Sequence, residues 1–156
     1  MKPEVIAVCI SEKKGVQKHE VPEIELRFGT GINGDAHAGN WHRQVSLLAD
    51  ESVDKMRALG WTLAPGAFAE NILTRGISLK SLPVGTLLKI GEAVLCVSQI
   101  GKECHNDCAI KQTTGKCVMP TEGIFAIVLR EGIVAKGMEI RIIDQVQEIF
   151  DETHQN

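Results

Sequence analysis

The sequence contains no tyrosine, only four phenylalanines and only two tryptophans. Few flat side chains are therefore on offer for stacking on nucleobases. Positive charge is not in surplus either: 17 Lys and Arg face 20 Asp and Glu, a formal net charge of −3. A strongly cationic nucleic-acid binder is excluded on both counts. Long apolar runs are missing too. Residues 5–10 and 124–129 are among the longest, far short of the ~20 residues that cross a bilayer as a helix. The start lacks the features of a secretory leader. Lys2-Pro3-Glu4 precedes the first apolar run, which ends in Ser11-Glu12-Lys13-Lys14 without a small-residue cleavage site. The expectation is a cytoplasmic protein with neither a membrane nor a nucleic-acid partner.

What is present fits one domain. The 156 residues are 44% apolar, enough for one core but not for two. Residues 1–143 read as that domain, and residues 144–156 as an acidic tail with no Lys or Arg. Five cysteines, an odd number in a reducing compartment, argue against a disulfide framework. Cys9 and Cys96 sit in apolar β-like runs and read as core. Cys104, Cys108 and Cys117 share one polar stretch.

The periodicity is mostly that of strands. Residues 5–10 are rich in β-branched side chains, and Ile24, Leu26 and Phe28 alternate with Glu23, Glu25 and Arg27. Runs at 86–90 and 93–99 flank Gly91-Glu92 as a tight hairpin. Residues 123–129 read as a strand or a helical turn, and 133–143 as strands broken at Gly137. One helix is expected, with Asp50 as N-cap, Val53, Met56 and Leu59 on one face, and Gly60 at its end. Fifteen glycines between short apolar runs favour a barrel or sandwich over a βαβ arrangement.

Three stretches carry chemistry. Residues 29–39 hold four glycines, followed by Trp41-His42-Arg43-Gln44. Successive amide N–H groups there can form an anion nest, and Arg43 suits a phosphate through its planar fork of donors. Asp35, His37 and His42 add an acid and two bases. The alternative is a hairpin loop facing water. The spacings match neither a phosphate-binding Walker loop nor a dinucleotide fingerprint. In the second stretch, residues 65–72, Phe68 and Ile72 would pack inward from one helical turn and leave Glu70 and Asn71 presented elsewhere. Its alternative is a short helical linker with a solvated Glu. The third stretch, residues 101–120, holds the cysteine trio. Lys102 and His105 flank Cys104 and would lower its pKa, with Glu103 opposing. A structural zinc site has these ligand types, but C-x3-C-x8-C lacks paired knuckles, and no common iron–sulfur spacing fits. The remaining reading is a reactive thiol. Cys104 would be modified first, with Cys117, next to Lys116, as resolving partner, while Asp107 disfavours Cys108.

Gly31-Ile-Asn-Gly-Asp-Ala-His37, Arg43-Gln-Val-Ser-Leu-Leu48, Gly66-Ala-Phe-Ala-Glu-Asn-Ile72 and Leu82-Pro-Val-Gly85 run in one order with the Cys104 segment. Gly123-Ile-Phe-Ala-Ile-Val-Leu129 and Gly132-Ile-Val-Ala-Lys-Gly137 complete the series. Together they resemble the MOSC domain, named for the C-terminal domain of molybdenum-cofactor sulfurases, in its small stand-alone bacterial form. The resemblance covers about residues 4–143. It implies a mainly β fold, a distorted β-barrel with a few short helices and a cleft for the molybdenum cofactor (molybdopterin). It implies that Cys104 carries sulfur as a persulfide or ligates molybdenum, and that Asp35, Arg43, Glu70 and Asn71 line the cleft. On this reading Cys104, Cys117 and His37 are catalytic. Gly34, Asp35, His42, Arg43, Glu70, Asn71 and Lys102 contact the cofactor, and Cys104 is the metal ligand. His37 or His42 would relay protons. The implied partner is a cysteine desulfurase or a molybdenum-cofactor enzyme. Two alternatives stand beside it: a molybdenum reductase of N-hydroxylated compounds, and a non-enzymatic zinc domain for structure or docking. Relatives with reductase activity carry a basic, proline-containing segment before the cysteine, whereas here Gln99-Ile-Gly-Lys-Glu103 stands there. Cys108 and Cys117 are not general to the superfamily.

Overall fold

The computed structural model describes residues 2–101 and 122–144. The expectations that rest on Lys102, Cys104, His105, Cys108, Cys117 and the acidic tail after Asp144 lie outside the described residues. Among the described residues there are eleven strands, one α-helix and one 3₁₀ turn, a mainly β fold.

In chain order the first strands are β1 (Glu4–Ile10), β2 (His19–Val21), β3 (Glu23–Arg27), β4 (Gly31–Ile32) and β5 (Val45–Ala49). Helix α1 (Asp50–Arg57) follows, then β6 (Ile72–Arg75), a 3₁₀ turn (Leu79–Ser81), β7 (Leu87–Ile90) and β8 (Ala93–Ile100). The described residues end with β9 (Ile124–Arg130), β10 (Gly132–Ala135) and β11 (Ile140–Ile143). Eight strands form one sheet in the order β11-β7-β8-β9-β5-β6-β1-β2, and β10-β3-β4 form a second. The ladder does not close strand to strand, but its ends are bridged. Glu4 pairs with Glu139. Val5 N donates to Met138 O (2.9 Å), Gly137 N to Val5 O (2.8 Å) and Ile140 N to Pro3 O (2.9 Å). These bonds tie β1 to the start of β11, so the sheet curls on itself as a distorted barrel.

The alternation of side chains along the strands produces two cores. Leu47, Ile72, Val5 and Val8 face the inside with Ile24, Leu26, Ile32, Leu95 and Val134. Leu48, Leu73, Ala7 and Cys9 face the other way, against Val53 and Met56 of α1 and Phe68. The hairpin around Gly91-Glu92 forms as expected, and residues 124–130 are strand rather than helix. Several expectations are corrected. Phe28 lies beyond the end of β3 and is exposed. Helix α1 ends before Leu59, which is exposed, and Asp50 is its first residue, not its cap. The Asp50 carboxylate instead accepts from Arg57 and Arg75. Finally, β5 and β6 pair in parallel across α1, a βαβ crossover that the glycine spacing argued against. Strand β5 is buried along its whole length because α1 covers one face and the barrel interior the other.

Residues 65–70 form turns rather than a helix, and Ile72 belongs to β6. Gly66 makes this packing possible. Its φ is +88°, and a Cβ there would lie 2.1 Å from the carbonyl oxygen of Lys18. Lys18 N in turn donates to Gly66 O at 2.9 Å. Only glycine permits that approach.

Candidate functional site

The loop between β4 and β5 carries most of the sequence-predicted residues, and it is built on a buried ion pair. Lys18 Nζ lies 2.8 Å from Asp35 Oδ1, and both side chains are fully buried. The same oxygen accepts from Ser11 N (3.1 Å), and Asp35 Oδ2 accepts from His37 N (3.1 Å). Burial pushes the Asp35 carboxyl up, but the Lys18 bond and charge, with the Ser11 and His37 amides, outweigh it. Asp35 therefore titrates below the ordinary carboxylate range. Lys18 also donates to Ser11 Oγ (3.0 Å) and meets His37 Nδ1 at 3.2 Å. The His37 ring stacks on Trp41.

This inward wiring leaves no free amides for an anion nest over residues 35–39. The amides of residues 35–39 are all spent: Asp35 N on Ile32 O, Ala36 N on Ser11 O, Ala38 N on Asp35 O and Gly39 N on Thr30 O. The His37 amide is held by Asp35. Gly34 is exposed at the tip of the loop. The expected water-facing alternative is not met either, because Asp35 is interior.

Glu70 and Asn71 are interior as well, at 1% and 0% exposure, and their polar atoms are engaged within the fold. Glu70 accepts from Gly66 N (2.7 Å) and Phe68 N (3.0 Å). Burial raises its pKa, against the lowering by these backbone amides. Asn71 Oδ1 accepts from Ser46 N (3.0 Å), and its Nδ2 donates to Cys9 O (3.0 Å), pinning the turn to β5 and β1. A solvated Glu on a linker is thus excluded. Cys9 is core as expected, its thiol pushed up to about 12 by burial and then by Glu70. Cys96 is only partly buried.

The remaining predicted residues gather on an open rim. His42 Nε2 lies 2.8 Å from Gln99 Oε1, and Arg43 Nε donates to that same oxygen at 3.1 Å. Gln99 Nε2 donates to Gly101 O at 2.8 Å. Arg43 Nε can only donate and Gly101 O can only accept, so the amide orientation is determined and His42 Nε2 must carry a proton. The Arg43 guanidinium lies 5.3 Å from the Phe125 ring, and its terminal nitrogens make no hydrogen bond among the described residues. Gly101 N donates to Gly123 O at 2.7 Å, so the two ends of the cysteine-bearing stretch meet beside this rim. At the far end Glu122 accepts from Ser52 Oγ (2.9 Å) and Lys55 Nζ (2.7 Å), lining a cavity of about 310 Å³ beside α1.

Sequence reasoning missed Lys18, which no motif marks, and the hub role of Gln99, seen only as part of a departure from the family pattern. The chemistry on offer is a partly buried cation with unengaged donors beside a histidine. That donor set suits an oxyanion such as a phosphate. Among the described residues no cluster of three His, Cys, Asp or Glu could hold a metal ion.

No curated protein sequence matches the chain. Solved structures do. The YuaD protein of Bacillus subtilis superposes with a TM-score of 0.73 at 21% identity, covering 90% of this chain and 94% of that one. YiiM of Geobacillus stearothermophilus matches with a TM-score of 0.70 at 16% identity, covering 99% and 86%. YiiM of Escherichia coli gives 0.65 at 19%, covering 94% and 71%. At such identities these similarities concern the fold. The family model of the MOSC domain matches residues 34–141, well over half of the chain and all of the rim, and the chain belongs to the MOSC domain family.

Proposed function

We propose that this MOSC domain binds the molybdenum cofactor and handles sulfur through Cys104. Arg43 holds the phosphate, Gln99 orients Arg43 and His42, and a histidine of the loop takes the thiol proton. When bound, the cofactor supplies a molybdenum centre for which Cys104 is the candidate protein ligand. In the sulfur-carrier form of the reading, a cysteine desulfurase presents a persulfide. The Cys104 thiolate attacks its outer sulfur, a new S–S bond forms on Cys104, the donor's S–S bond breaks, and the donor leaves as a thiolate. No net oxidation occurs, so no further reductant is needed. Such a thiol requires a reducing compartment, the one that the cytoplasmic reading of the sequence implies.

The observation that carries the reading is the Arg43–Gln99–His42 rim at Gly101, the last described residue before the Cys104 stretch. Incubating the protein with a cysteine desulfurase and cysteine should add about 32 Da, one sulfur atom, to the Cys104 peptide by mass spectrometry. Absence of the adduct, with stoichiometric zinc retained after Cys104→Ser, would replace this reading with the zinc domain.

A further inference from the structure

Two histidines of the loop are equal candidates for moving a proton, but their surroundings differ. An ammonium has three N–H donors. Lys18 Nζ has three acceptors within reach: Asp35 Oδ1 at 2.8 Å, Ser11 Oγ at 3.0 Å and His37 Nδ1 at 3.2 Å. An ammonium cannot accept, so the contact forms only when His37 Nδ1 offers its lone pair. We propose that Lys18 is a positioning residue that locks His37 in the Nε2–H tautomer, making His37 a hydrogen-bond donor and leaving His42 as the proton acceptor of the loop.

The charges around His37 agree with this. Among the described residues it faces the Lys18 ammonium, the Asp35 carboxylate at 3.8 Å and, beyond Trp41, the Lys14 ammonium 5.0 Å from the indole ring. Protonating Nδ1 would set two donors head to head and leave Lys18 one acceptor short in a fully buried position. The carboxylate oxygen nearest Nδ1 lies 3.8 Å away, beyond hydrogen-bond distance, and already accepts the His37 amide. His42 is arranged in the opposite sense. Its Nε2–H donates to Gln99, while Nδ1 has no partner among the described residues, so a proton can be taken there. The role given to His42 rests on the proposed function; the tautomer of His37 does not.

Long-range ¹H–¹⁵N correlation spectra of the full chain labelled at histidine test the proposal. In the wild type, His37 should show a pyrrole-type Nε2 and a pyridine-type Nδ1 at neutral pH. In Lys18→Met the His37 Nδ1 signal should move while that of His42 does not. Because that variant strands Asp35, Lys18→Met with Asp35→Leu serves where it does not fold, and the same shift is expected. A wild-type His37 protonated at Nδ1, or charged at neutral pH, overturns the proposal, as does an unchanged His37 in a folded variant. If instead these signatures hold and no sulfur adduct forms on Cys104, the proposed function fails and the tautomer assignment stands.

Discussion

The residues that the family pattern singles out divide into a buried floor and an open rim, and the two do different work. The floor consists of Asp35 with Lys18, and Glu70 with Asn71, all buried and hydrogen-bonded inside the fold. The rim consists of His42, Arg43 and Gln99, joined through one amide oxygen and open to solvent on one side. A motif residue near a cleft can thus serve the loop's shape rather than its ligand. Mutating the floor should cost stability; mutating the rim should cost binding.

The largest effect is expected at the support of the floor. Gly66→Ala places a Cβ against the Lys18 carbonyl at positive φ, and should abolish folding or cost on the order of 5 kcal/mol by urea denaturation. Next comes Asp35→Asn, which leaves a buried ammonium without its counter-charge, a loss of about 3 kcal/mol. Replacing both partners, as in Lys18→Met with Asp35→Leu, should recover only part of that loss: the desolvation penalty disappears with the charges, but the Ser11 and His37 amides lose their acceptor. Asp35 also predicts a pH dependence. Its folded pKa is lowered, so its contribution is fully present above the ordinary carboxylate value of about 4 and is lost as pH falls through the folded value. Acid titration of unfolding should show that slope in the wild type and a shallower one in Asp35→Asn.

How far the sequence reveals this division depends on distance along the chain. Strand periodicity exposes β1, β3 and the β7–β8 hairpin, because the partners of a hairpin are neighbours and each strand states its own face. The parallel β5–β6 pair is hidden, since its crossover runs through an eight-residue helix and a Pro- and Gly-containing turn stretch that itself reads as helical. Asp35, Arg43, Glu70 and Asn71 are legible as motif positions. The burial of Asp35 and Asn71 is not, because it depends on Lys18 and Ser46, which lie 17 and 25 residues from them. Nor does the spacing of glycines in residues 29–39 reveal that the amides between them point inward.

Smaller effects should appear at the edge between the two regions. Asn71→Ala removes bonds to Ser46 and Cys9 and should cost about 2 kcal/mol, read as a lowered thermal midpoint. Gln99→Ala should cost less than that, about 1 kcal/mol, since His42 is exposed and Arg43 partly so, and only the Gly101 carbonyl among its partners is buried. It should nonetheless weaken cofactor binding by releasing Arg43 and His42 from their shared anchor.

The central claim, that the rim and not the floor meets the ligand, is tested most directly by calorimetric titration of molybdopterin into the wild type and Arg43→Ala, with unfolding followed in parallel. The account predicts saturable binding that weakens at least about tenfold in the variant, the scale of one lost charged hydrogen bond, at unchanged stability. Equal affinity in the two proteins would contradict it.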